Sequence, residues 1–237
     1  MSERIDEITP KKIKVLQPEG GFRFGTDAIL LSYFAGAKKR ERVADLGCGT
    51  GIIGLLIAAY TGARVTGLEL QPEMAEMAAR SAALNGLGNM TVLQGDLRQA
   101  EKLLGWNAFD RVVSNPPYER VDAGPGSENT ALDIARREIC CTLEDVTAAA
   151  YRLLRNGGSL SLVYPARYAD RLFSALFDAK FRLKRAQLVC DSAGKPPVLL
   201  LAEGRRGGGP GVEWLPPLIL KDENGYTPQA RRYYYEA

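Results

Sequence analysis

No histidine occurs anywhere in this chain of 237 residues. That absence removes Ser-His-Asp and Cys-His triads, histidine general bases, HExxH zinc sites and CxxCH haem attachment together. The four cysteines contain no CxxC pair, and Cys140 and Cys141 are adjacent, a poor framework for zinc or disulfides. Unpatterned thiols in a chain of this size read as reduced, which points to the cytoplasm. No run of about 18 apolar residues is present, so no membrane span is expected. The opening MSERIDEITPKKIK is charged from its third residue, unlike a secretory signal. Carboxylates, amides, backbone groups or a cofactor are left to do any chemistry, and no metal is expected.

The composition, 46% apolar and 25% charged, is that of an ordinary globular protein. A chain of this length makes one large domain or two small ones and can bury about 70–75% of its unfolded surface. The formal net charge of +3 hides an uneven distribution. Residues 43–150 carry 8 Lys+Arg against 14 Asp+Glu, whereas residues 11–42 carry 8 against 3 and residues 151–190 carry 8 against 2. Solvated helix faces explain such a pattern by themselves. Joined to other signals, an acidic middle with basic flanks suits a cationic small ligand in the centre and a polyanion beside it.

From Arg42 the chain alternates strand and helix patterns. Strands are expected over 42–46, 64–70, 90–94, 109–114, 159–164, 182–190 and 198–202. Helices are expected over 51–60, 72–85, 97–104, about 132–154 with a stop at Asn156-Gly157-Gly158, and 168–178. Val121–Asn129 reads as loop. The last two strands are joined by too few residues for a helical crossover and must pair antiparallel. The expected fold class is therefore α/β: a mostly parallel seven-stranded sheet with one antiparallel strand near its edge and helices on both faces. The expected division is an extension over 1–24, a core over 25–204, and a Gly/Arg loop with a basic-aromatic tail over 205–237.

The first strand runs into Asp45-Leu46-Gly47-Cys48-Gly49-Thr50-Gly51, the position where α/β sheets hold cofactors. Gly49–Gly54 also satisfies GxGxxG, and Glu69 follows Gly49 by twenty residues, so a nicotinamide dinucleotide is formally available. Charge argues against it. Asp45 opens the loop and no Lys or Arg lies between it and Gly54, so a pyrophosphate would face a carboxylate. A sulfonium and an ammonium fit better. The sequence here resembles the class I S-adenosylmethionine-dependent methyltransferases of Rossmann-like fold. That resemblance implies Gly47, Gly49 and Gly51 around the methionine moiety, Glu69 on the ribose and Asp96 on the adenine amino group, and the charge pattern of the loop adds Asp45 as a cofactor-binding candidate.

The fourth strand ends in Asn115-Pro116-Pro117-Tyr118. The lone pair of an exocyclic amine on adenine is delocalised into the ring, so the nitrogen is a poor nucleophile. Two acceptors holding its N–H groups draw it toward a more reactive geometry. Asn115 offers a side-chain carbonyl, Pro116 a backbone carbonyl on a restricted backbone, and Tyr118 a face on which a base can stack. Catalysis then comes from positioning and oriented dipoles, with no base needed before transfer. Asn-Pro also starts plain turns; its place after the fourth strand, downstream of DLGCGTG, favours the functional role.

Over about residues 12–235, FRFGTDAILLS (22–32), LELQ, EICCTLEDV (138–146) and the PLIL…YTP…YY tail are together similar to one bacterial family. These are the enzymes that methylate the 6-amino group of adenine 37 in valine tRNA, with Arg137 here standing where that family has histidine. The resemblance implies Phe24, Thr26 and Asp27 as further cofactor contacts, tRNA as partner, S-adenosylhomocysteine as product, and no obligate protein partner. Methylation of another amine (rRNA or DNA adenine, or a release-factor glutamine), a non-catalytic RNA-binding role and a dehydrogenase stand as alternatives.

Overall fold

The structure, a computed structural model, describes residues 2–8, 11–19, 25–117 and 141–235, with side chains to 233. Phe24, Tyr118, the 121–129 loop, Arg137, Cys140 and the first part of the expected 132–154 helix lie outside the described residues.

Two strands precede the alternation, β1 (Glu3–Ile8) and β2 (Ile13–Pro18), paired antiparallel. Helix α1 (Thr26–Phe34) follows. The core then runs through β3 (Arg42–Leu46), α2 (Ile52–Thr61), β4 (Arg64–Glu69), α3 (Pro72–Leu84), β5 (Met90–Gln94), α4 (Ala100–Leu104) and β6 (Phe109–Ser114). After the undescribed segment come α5 (Leu143–Leu153), β7 (Leu154–Pro165), α6 (Ala169–Asp178), β8 (Phe181–Ser192) and β9 (Pro197–Arg206). The tail supplies β10 (Glu213–Trp214), β11 (Leu218–Asp222), β12 (Gly225–Tyr226) and α7 (Pro228–Tyr235).

These strands form a mostly parallel sheet in the order β12-β11-β8-β9-β7-β6-β3-β4-β5, with β10 also on β8. β9 is reversed between β7 and β8, and β12 is antiparallel to β11. One cluster of buried side chains, with α1 and α2, covers one face; a second, with α5 and α6, covers the other. Both faces are covered, so successive residues of β6 are buried on opposite sides: Val112 packs to one side and Val113 to the other.

Three expectations are corrected. Among the described residues the sheet has ten strands, because the tail adds three to the open edge beyond β8, and the reversed β9 is consequently not near the edge. The 132–154 helix does not run through as one: Thr142 starts α5 with a reciprocal capping box to Asp145, satisfying amides that have no intrahelical partner. Its end is Leu153, not Asn156-Gly157-Gly158. That triplet lies within β7, where the register against β6 shifts between Phe109 and Arg111, so the glycines serve a bulge.

The additions are fastened to the core by specific contacts. Ser81 Oγ on α3 accepts from the Leu16 amide at 2.9 Å, fastening β2 to the core. Tyr233 on α7 packs against Tyr33 of α1 with ring centres 4.3 Å apart and planes tilted by 47°, and donates to Gln187 Oε1 at 3.2 Å. The carboxyl-terminal helix thereby holds α1, whose first turn carries Thr26 and Asp27.

Candidate active site

Strand order reverses at β3: β4 and β5 extend one way, β6 the other. The carboxyl ends of these four parallel strands carry Asp45–Gly51, Glu69, Asp96 and Asn115, the crevice position at which such sheets take ligands. The Ser114 hydroxyl donates to the Leu46 carbonyl at 2.7 Å, tying the end of β6 to the glycine loop. The sequence reading did not single out this serine.

Asp45 is fully buried. Its Oδ2 accepts the Gly54 amide at 3.0 Å, while Oδ1 has no hydrogen-bond partner among the described residues. Burial pushes this carboxyl up to about 7, the Gly54 amide opposes the rise, and the Glu69 carboxylate adds to it. Burial, with Asp45 and Glu69 nearby, likewise pushes the Cys48 thiol up.

Gly47 and Gly49 have φ of +66° and +56°, and a Cβ at either would meet nothing within 4 Å. The turn demands the left-handed backbone, and the space beside it is open. Gly51 differs: a Cβ there would lie 2.9 Å from that of Ala78, so this glycine also lets α2 approach α3. Glu69 is 6% exposed, and its two carboxylate oxygens accept the Gly49 amide at 2.8 Å and the Gln71 amide at 2.9 Å. It holds the glycine loop as well as facing the crevice.

Asp96 caps the 3₁₀ turn at Leu97–Gln99 through the Arg98 amide, and pairs with the Arg98 guanidinium at 2.6 Å. That pairing holds its carboxyl below the ordinary range, so it is an ionised acceptor. The pairing, between residues two apart, was not anticipated.

The hydrogen bond that sequence could not reveal joins Asn115 to Asp27. Asn115 Nδ2 donates to Asp27 Oδ2 at 2.8 Å across 88 residues. A carboxylate only accepts, so the amide nitrogen must face Asp27 and the carbonyl oxygen occupies the other end of the group. Asn115 is half-buried, Pro116 buried and Pro117 exposed. Thr26 and Asp27, at the start of α1, are half-buried. Phe24 and Tyr118 cannot be placed in this arrangement.

These features test what the crevice can hold. A buried carboxylate oxygen without a donor, beside open left-handed glycines and a second carboxylate, suits a ligand carrying an ammonium and hydroxyls. It disfavours a pyrophosphate. S-adenosylmethionine fits: Asp45 with Gly47 and Gly49 would hold its amino-acid end and Glu69 its ribose.

Fold and site together define a class I, S-adenosylmethionine-dependent methyltransferase. The family model described as "Methyltransferase domain" matches residues 37–205. A crystal structure from Agrobacterium tumefaciens, described as a predicted O-methyltransferase, is similar with a TM-score of 0.72 and 26% identity, covering 88% of this chain and 95% of that one. The tRNA1(Val) (adenine(37)-N6)-methyltransferase of Porphyromonas gingivalis is 34% identical across 84% of this chain and 81% of its own. Its namesake from Yersinia enterocolitica is 29% identical across 94% and 88%. The chain belongs to this tRNA1(Val) (adenine(37)-N6)-methyltransferase family.

Proposed function

We propose that this protein methylates the 6-amino group of an adenine in tRNA, adenine 37 of valine tRNA by its relatives' names. The observation that carries it is the Asn115 amide, fixed by Asp27 at the end of β6 and tied through Ser114 to the cofactor loop. S-adenosylmethionine supplies an electrophilic methyl group on a sulfonium. Asn115 Oδ1 and the Pro116 carbonyl accept the two N–H groups of the target amine and turn its lone pair toward that methyl. Tyr118 stacks on the base. The methylated amine is a strong acid and loses its proton to water, so a chain without histidine meets the demand. A hydroxyl acceptor, by contrast, calls for a base, and Asp45 and Glu69 already hold loop amides. The reaction as written uses no metal and no partner protein. A tRNA substrate and cysteines without a disulfide pattern in the sequence support a cytoplasmic site of action.

Asp27 in this scheme is a positioning residue. Asp27→Ala frees the Asn115 amide to rotate and is expected to lower kcat about 10–100-fold, the worth of one hydrogen bond to a charged group. The dissociation constant for S-adenosylhomocysteine is expected to change much less. Asp27→Asn keeps an acceptor oxygen and restores most of kcat. A large rise in that dissociation constant with unchanged kcat would instead make Asp27 a cofactor ligand only.

Glu69→Ala removes the acceptor that holds the Gly49 amide together with the ribose contacts. Calorimetry with S-adenosylhomocysteine should show at least about tenfold weaker binding; an unchanged affinity rules out the role given to Glu69. The function itself is checked with unmodified valine tRNA transcripts. Methyl incorporation is expected for the natural sequence and lost when guanine replaces adenine 37.

A further inference from the structure

At the opposite ends of the strands from Asn115 lies a cavity of about 650 Å³ with cationic walls. Arg111 comes from the start of β6, Lys184 and Arg185 from the start of β8, Arg205 from the end of the reversed β9, and Lys38 from the segment after α1. One carboxylate, Glu203, 5% exposed, is shared by Arg185 at 3.0 Å, Arg111 at 3.5 Å and Arg205 at 3.6 Å. Glu41 meets Arg111 at 2.7 Å, and Glu213 also lines the space. Five cations thus face three carboxylates.

Part of the remaining positive charge is met by dipoles and an aromatic ring rather than by carboxylates. The Lys184 ammonium is surrounded by the carbonyls of Gly209, Pro210 and Gly211 at 3.4, 3.1 and 2.9 Å. The Arg185 guanidinium, paired with Glu203, lies 4.3 Å from the Phe34 ring centre, and its Nε is buried without a hydrogen-bond partner among the described residues. Partly buried cations in excess of their counter-charges are costly unless an anion joins them. Methyl transfer at the other end of the strands makes no use of this cluster.

The Gly/Arg loop after β9 separates this cavity from a second one of about 510 Å³. There Phe177 is 64% exposed, with the Arg182 guanidinium 5.4 Å from its ring centre. A cationic pocket next to an exposed aromatic ring matches a nucleotide, which carries a phosphate and a stackable base, better than it matches a bare anion.

We propose that the cationic cavity binds a backbone phosphate of the RNA substrate, away from the methylated base, with Phe177 beside it to meet a base. This rests on RNA being the substrate, as proposed above. The Gly/Arg loop then has a job: its small residues leave the phosphate room, while its carbonyls fix Lys184 at the rim.

The test pairs Lys38→Gln with Arg205→Gln in the full chain. Both side chains are exposed, and neither belongs to the catalytic end. Binding of tRNA is expected to weaken several-fold and equally for valine tRNA and an unrelated tRNA, since phosphate contacts are blind to sequence. The slope of log Kd against log salt should fall by about 1. kcat at saturating tRNA and S-adenosylhomocysteine affinity should hold, and thermal unfolding verifies the fold. A Lys38→Glu/Arg205→Glu variant should weaken tRNA binding further. Unchanged tRNA affinity and salt slope in both variants overturns the proposal. So does a result in which only ATP or inorganic phosphate binding is lost, which assigns the cavity to a free anion. Methylation of tRNA by the unsubstituted protein is scored separately: if it is absent, the substrate assignment fails, whereas methylation with indifferent variants defeats only the cavity.

Discussion

Asn115→Ala is expected to lower kcat by about 10²–10³, the scale of removing one oriented polar group from an active site. S-adenosylhomocysteine should still bind the variant, because Asp45, Gly47, Gly49 and Glu69 are untouched. The size of the effect follows from how the amide is held. Asp27 fixes which end of Asn115 is the acceptor, and Ser114 fixes where β6 ends relative to the cofactor loop. An amine whose lone pair is delocalised depends on acceptors already in place, and alanine supplies none. Near wild-type turnover in the variant would mean that another group activates the amine.

The second large effect concerns Asp45 and pH. Burial lifts its carboxyl from the ordinary 3.8 to about 7 in the folded chain. Between those values the folded chain keeps a proton that the unfolded chain has released. The stabilisation this gives is complete below the unfolded value and is lost as pH rises through about 7. From the two values the loss is on the order of 4 kcal/mol. A ligand ammonium beside Oδ1 would favour the ionised form and offset it.

The unfolding temperature of the cofactor-free protein should therefore fall between about pH 4 and about pH 7 and level off above that, and fall less with S-adenosylhomocysteine bound. Asp45→Asn should flatten the dependence and weaken cofactor binding by about 10²–10³, the scale of breaking a buried charge pair. The difference between the two proteins isolates this carboxyl from every other titrating group. Parallel pH profiles for both would remove Asp45 from the account.

The sequence showed the core well where short apolar runs met decisive breakers. The strands at 42–46, 90–94 and 109–114 have the expected limits because glycine, asparagine or proline stops each run. The tail strands escaped notice because each is short and is stabilised by pairing onto β8 or onto a tail strand already added there, a tertiary effect with no local signature. Asn156-Gly157-Gly158 mimicked a helix stop because a bulge and a C-cap both call on glycine.

At the site, residue types were legible and their pairings were not. The motif arrangement singled out Asp45, Glu69 and Asn115. No pattern along the chain says that Asp27 holds Asn115, that Glu69 holds the Gly49 amide, or that Glu203 gathers three guanidiniums. Most of these contacts join separate elements, across 88 residues for Asp27 and Asn115, and exist only once the sheet has assembled.

The most direct check on the central claim uses labelled S-adenosylmethionine with separate pools of unmodified tRNA, rRNA, DNA and release factor, followed by nucleoside analysis. Label is expected in tRNA alone, recovered as N6-methyladenosine and mapped by nuclease digestion to position 37 of valine tRNA. Label in the DNA, rRNA or protein pool, or methyl groups on a ribose hydroxyl rather than the adenine amine, would contradict it.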